Sequence, residues 1–95
     1  MRPETLQATL VLLGLPQHIA KPLAAEVVRR KGEYKWLAQD STGHWYLYND
    51  KPKPPSKASN YKLWRTTEGY YAKIIHTSVI SAWGRLLIDL SFIDN

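Results

Sequence analysis

In the first third of the chain, apolar residues recur at intervals of three and four: Leu6, Leu10 and Leu13, then Leu23, Val27 and Val28. Pro3-Glu4-Thr5 precedes the first stripe, and Gly14-Leu15-Pro16 follows it with the glycine stop and trailing proline of a helix end. The pattern predicts a helix over about 4–13 and a second over about 22–31. Pro22 stands in the second helix's first turn, Arg29-Arg30-Lys31 where a helix dipole favours cations, and Gly32 beyond. Residues 17–20 read as one further helical turn between the two.

The period then changes from helical to alternating. Residues 33–49, EYKWLAQDSTGHWYLYN, are two aromatic runs around Asp40-Ser41-Thr42-Gly43, a type I turn closed by a left-handed glycine. That turn fixes a register in which Gln39 faces Trp45, Ala38 faces Tyr46, Leu37 faces Leu47 and Trp36 faces Tyr48. One face then carries Tyr34, Trp36, Ala38, Tyr46 and Tyr48; the other carries Lys35, Leu37, Gln39, Trp45, Leu47 and Asn49. Both faces are apolar enough to need cover.

Residues 50–60 hold Pro52, Pro54 and Pro55 with three lysines and no spaced apolar pattern, which predicts a stiff, solvated loop. Pro52 to Pro55 also fits PxxP. Residues 61–66 and 70–75 repeat the hairpin device around Thr67-Glu68-Gly69, with Thr66 facing Tyr70 and Arg65 facing Tyr71. From Ser78 on, Val79, Ile80, Trp83, Leu86, Leu87 and Leu90 return to helical spacing and predict a helix over about 80–90. Gly84 weakens that helix, and Leu86-Leu87-Ile88 also suits a strand. The expected fold is α+β, one domain over 1–95. It comprises a helical part at 1–32, a four-stranded antiparallel meander of two hairpins at 33–76, and a C-terminal helix within 78–95.

With 95 residues, 44% of them hydrophobic, the chain suits one globular domain. It has no cysteine, which removes disulfides, thiolate metal sites and cysteine nucleophiles, and a cytoplasmic setting fits. The apolar run over 6–15 is too short for a membrane span and lacks a signal-peptide cleavage pattern. The net charge of +5 is uneven: residues 29–73 hold ten Lys or Arg against four acidic residues. Such a field attracts nucleic acid or an acidic protein surface.

No residue cluster specifies a reaction. His18, His44 and His76 make no i, i+4 metal pair, and no P-loop, GxSxG or HExxH is present. An Asp40–His44 contact across the first turn reads as structural. The sequence therefore predicts a non-enzyme with no cofactor and no metal. Residues 13–31 loosely suit a helix-turn-helix, but Leu23-Ala24-Ala25 offers no base-reading side chains where a recognition helix begins, and Pro22 interrupts the preceding helix.

Four Trp and six Tyr in 95 residues leave aromatic surface beyond what one core takes. The candidate binding residues are Trp45 and Tyr71 with the sheet cations Lys35, Lys62, Arg65 and Lys73, and the loop lysines Lys51, Lys53 and Lys57. Aromatics beside cations serve single-strand binders and protein hot spots alike.

The run KWLAQDSTGHWYLYNDKP, then Lys62-Leu63-Trp64, Gly69-Tyr70-Tyr71 and AWGRLLIDL over 82–90, resembles small accessory proteins of tailed phages and prophages. Their hairpin reads W-x-A-x-D-x-x-G-x-x-Y-x-Y-x-x-K-P. The likeness rests on turn and aromatic spacing over about 33–90, outside the helical third. It implies a protein that binds and modulates a host protein of defence, recombination or nucleic-acid metabolism in the bacterial cytosol. It carries over no functional residues. Binding of nucleic acid through the basic, aromatic sheet is the other reading.

Overall fold

The computed structural model describes residues 2–30, 34–55, 64–66 and 69–92. Helix α1 (Pro3–Leu12) starts on Pro3, whose missing N–H would have had no helical partner there. It ends in a Schellman motif: Leu15 N–H donates to Leu10 O and Gly14 N–H to Val11 O, both at 3.0 Å, around Gly14 at φ +106°. The motif turns Leu15 back beside Leu10, and both are buried. Leu13, expected on the buried stripe, is instead exposed beside Leu12.

Helix α2 (Gln17–Arg29) is continuous, so the separate turn expected at 17–20 is its first turn and Pro22 lies inside it. Proline withholds the donor that the His18 carbonyl would receive, but His18 and Pro22 are both exposed, so that carbonyl is not stranded in the core. Burial of Ile19, Ala20, Leu23, Ala24 and Val27 on one face holds the helix through the lost bond.

Strands β1 (Trp36–Gln39), β2 (His44–Tyr48), β3 (Tyr71–His76) and β4 (Ile88–Asp89) form one antiparallel sheet in the order β3-β2-β1-β4. The first hairpin has the register its turn predicts, from Trp36↔Tyr48 to Gln39↔Trp45. Gly43 stands at φ +96° and donates to Asp40 O, while Asp40 N–H donates to His44 O at 2.9 Å.

The helix pair and four-stranded antiparallel sheet are as expected, but two strands come from elsewhere. No second hairpin forms among the described residues: β3 pairs with β2, and Arg65 makes an isolated bridge to Lys53. Pairing on β2 lets Ile74 and Ile75 pack on the core beneath Trp45 and Leu47, burial that a free-standing hairpin would not provide. The rest of that predicted hairpin, at 61–63 and 67–68, lies outside the described residues.

The C-terminal helix is likewise replaced. Residues 81–85 make turns, and Ile88–Asp89 then pairs with the open edge of β1, placing buried Ile88 opposite Leu37. A short 3-10 turn, Leu90–Phe92, follows.

One sheet face is covered by the helices and the other only in part. The helices close one over Leu37, Trp45, Leu47 and Ile88. On the other, Ala38, Tyr48 and Trp64 form a smaller core, with Trp36, Tyr46 and Leu87 packed against it. Tyr34 departs from its expected face: it precedes β1, packs toward the helix side and meets Tyr70 edge-on at 5.7 Å. The loop after β2 is less solvated than expected, since Pro52 is buried.

Candidate functional site

Alternation along β2 puts His44, Tyr46 and Tyr48 on the face away from the helices, and register adds Trp36 and Ala38 from β1 and Tyr71 and Lys73 from β3. Trp64 lies over the middle of this face, its indole N–H held 2.9 Å from Trp83 O. The 64–66 segment is pinned in turn by Lys53, through Lys53 N–H to Arg65 O at 2.7 Å and Arg65 N–H to Lys53 O at 3.0 Å. Edge strand β3 is left uncovered.

The seam between covered and uncovered sheet is a cleft of about 230 Å³, lined by Asp40, Tyr46, Tyr48, Trp64, Arg65, Thr66 and Tyr71. Tyr46, Tyr48 and Tyr71 stand as a triangle with ring centroids 5.8–6.2 Å apart. Tyr48 and Trp64 are buried, while Tyr71 at the rim is 59% exposed.

Asp40 anchors the floor. Its Oδ1 accepts from Thr42 N–H at 2.9 Å, Thr42 Oγ1 at 2.6 Å and His44 N–H at 3.1 Å, which explains how a carboxylate only 4% exposed is tolerated. Burial, the Asp40 charge and a hydrogen bond to that carboxylate hold the Tyr46 phenol above its usual range. Burial pushes Tyr48 up further, with Tyr46, Asp40 and Tyr71 adding to it. Both phenols are therefore neutral over the whole physiological range and keep their O–H groups as donors.

Of the predicted site residues, Arg65 and Tyr71 line this cleft, and Lys73 stands exposed on the same face as the cross-strand partner of Tyr46. Lys51 is exposed, with its Nζ 5.5 Å from the Trp36 ring centroid, and exposed Lys53 holds the cleft wall by its backbone. Lys35 is exposed where the chain enters β1, its N–H bonded to Tyr48 O. Lys57 and Lys62 lie outside the described residues.

Trp45 does not belong to a surface site. It is fully buried on the helix side, and its indole N–H donates to Thr77 Oγ1 at 2.8 Å. Sequence reasoning passed over Asp40, Tyr46, Tyr48, Trp64 and Thr66 as site residues. The signal was present for the two tyrosines, on one face of a strand whose other face had a core to fill.

No family model matches the chain, and no curated protein or solved structure matches it. Among the described residues no helix is long and apolar enough to cross a membrane, and no three His, Cys, Asp or Glu side chains stand together as a metal site.

Proposed function

We propose that this chain is a non-catalytic binding protein that engages a host protein through the aromatic cleft, the class of partner that its likeness to phage accessory proteins implies. The observation that carries the reading is the distribution of exposure around the cleft. A single-strand platform offers several open ring faces in a row. Here Tyr48 and Trp64 are buried, Lys51 stands over Trp36, and Tyr71 is the well-exposed ring. A recess walled by fixed aromatics and an arginine, with one projecting tyrosine, matches the anchor pockets of protein hot spots. At about 230 Å³ it lies below the usual 300–1,000 Å³ of small-molecule sites and suits one inserted side chain. Lys73, Arg65, Lys53 and Lys51 give the surround a positive field, which favours an acidic partner surface and speeds encounter.

The test is retention of proteins from bacterial lysate on the immobilised chain, with and without nuclease, repeated with Tyr71→Ala and Lys73→Gln. These exposed positions leave the core intact, so circular dichroism should be unchanged. The expected result is a stoichiometric protein partner, indifferent to nuclease and lost with Tyr71→Ala. Cations beside Tyr71 favour nucleic acid as the second reading. Tight oligonucleotide binding, with log affinity falling at a slope of about −3 to −4 against log salt, would replace the first reading by the second.

A further inference from the structure

Beyond the cleft, at the turn end of the same face, a second cluster is assembled from residues 32 positions apart. His44 on β2 is the cross-strand partner of His76 on β3, and their ring centroids are 4.7 Å apart. Both rings are tied to one residue. Thr42 Oγ1 lies 2.8 Å from His44 Nδ1, and the Thr42 carbonyl oxygen lies 2.8 Å from His76 Nε2.

These bonds fix both tautomers. A carbonyl oxygen only accepts, so His76 carries its proton on Nε2. The Thr42 hydroxyl gives its single proton to Asp40 Oδ1, 2.6 Å away, and so must accept from His44 Nδ1–H. The nitrogens left with bare lone pairs are His44 Nε2 and His76 Nδ1.

An imidazole whose N–H is held by an oxygen acceptor and whose other nitrogen is bare is the form in which proteins present histidine to a metal. The outer bond fixes the ring and raises the ligand's basicity. Here the outer shell is complete on both rings, and on His44 it runs through Thr42 to the Asp40 carboxylate. His44 and His76 stand opposed where the β2–β3 register shifts between His44 and Tyr46, and their rings, 4.7 Å apart, are near enough to share one ion. His44 is half-buried and His76 exposed, so an ion can enter with its water.

We propose that His44 and His76 form a cross-strand, two-imidazole site for a borderline divalent transition-metal ion, with water completing the coordination. Imidazole nitrogen selects Zn²⁺, Ni²⁺ or Cu²⁺ over Mg²⁺ and Ca²⁺. A bound ion would clip β3 to β2 beside the first turn. The proposal does not rest on the cleft's partner, although the outer shell of His44 ends on Asp40, which also lines the cleft.

The test uses the untagged 95-residue chain, with Zn²⁺ and Ni²⁺ as probes and Mg²⁺ as control. Melting temperature should rise with Zn²⁺, by about 10 °C at about a hundred times the dissociation constant, and return with EDTA. His44→Gln or His76→Gln should each remove the rise, His18→Gln should leave it, and Thr42→Val should weaken Zn²⁺ at least tenfold by releasing the outer shell. If a variant folds poorly, the histidine ring resonances of the unaltered protein decide. Zn²⁺ should move those of His44 and His76 and leave His18 in place. No shift in millimolar Zn²⁺ or Ni²⁺, or a shift centred on His18, overturns the proposal.

Discussion

Gly14 and Gly43 have nearly the same backbone conformation, φ +106° and +96°, and differ in what surrounds them. Alanine at either position meets the left-handed penalty, about 1–2 kcal/mol. At Gly14 that is the whole cost, because a Cβ there finds no atom within 4 Å. At Gly43 the Cβ would run into the Thr77 carbonyl oxygen and approach His76 Nε2 to 3.2 Å. Thr77 cannot simply retreat. Its N–H donates to Gly43 O at 2.9 Å, and its hydroxyl receives Trp45 Nε1–H at 2.8 Å and Gln39 Nε2–H at 3.1 Å. Overpacking of this kind costs about 1–3 kcal/mol, and the strained backbone bond about 0.5–1.5 more. Gly43→Ala should therefore lose about 2.5–6.5 kcal/mol and Gly14→Ala about 1–2. Against a total of about 5–15 kcal/mol the first leaves a marginal fold. Urea unfolding followed by tryptophan fluorescence, extrapolated linearly, measures both. If the two variants agree within about 0.5 kcal/mol, the close packing of the first turn against the end of β3 is wrong.

Thr77→Val should cost about 2–3 kcal/mol, because it strands the Trp45 indole N–H and removes one acceptor of the fully buried Gln39 amide; chemical denaturation reads this directly. Lys51→Gln with Lys53→Gln should leave the melting temperature within a few degrees, since both side chains are exposed and such surface changes stay near about ±0.5 kcal/mol each. Alkali should destabilise the fold through Tyr46 and Tyr48, whose folded-state pKa values lie above the ordinary value of about 10. The unfolded chain then sheds those protons first, so stability is full below about pH 10 and falls above it at up to about 1.4 kcal/mol per unit for each phenol. Denaturation at pH 9 and pH 11 should show the loss in the unaltered protein and less of it in Tyr48→Phe.

The first hairpin was legible because its signal is local. An Asp, a Gly three residues on and an alternating pattern fix a turn, the turn fixes a register, and every pair follows. The fourth strand was legible only as the alternative to a helix at Leu86-Leu87-Ile88, because Ile88 and Asp89 are too few to carry a period; what makes them a strand is the vacant edge of β1 and the apolar space beside Leu37. The partner of β3 was misread for a related reason. Adjacent runs with a glycine between them look like a hairpin, yet the edge of β2 offers Tyr71–His76 a larger apolar surface. Trp45 shows the limit of reading exposure from composition: its face was right, but only the helices above it decide that the face is dry. The buried polar cluster of Gln39, Trp45 and Thr77 and the His44–His76 pair both join positions more than thirty residues apart. No spacing rule reaches that far.

What sets the rim of the cleft is Asn49, at the exit of β2. Its Oδ1 accepts Tyr70 N–H at 2.8 Å and its own N–H donates to Tyr70 O at 3.2 Å, which delivers the chain into β3 with Tyr71 facing the cleft. Gly69 lies against the same side chain, with its N–H on Thr66 Oγ1 at 3.1 Å. The wall at Thr66 and the rim at Tyr71 are thus joined through three residues rather than by the sheet itself. Asn49→Ala removes the side-chain acceptor and leaves the backbone bond. Because Tyr70 is 44% exposed, its freed N–H turns to water, so the stability loss should stay near about 1 kcal/mol. The positioning loss should be larger in its effect: amide exchange at Gly69 and Tyr70 should accelerate while β1 and β2 stay protected, and retention of a protein partner should fall with it. If exchange accelerates and retention is unchanged, the cleft rim is not where the partner is held.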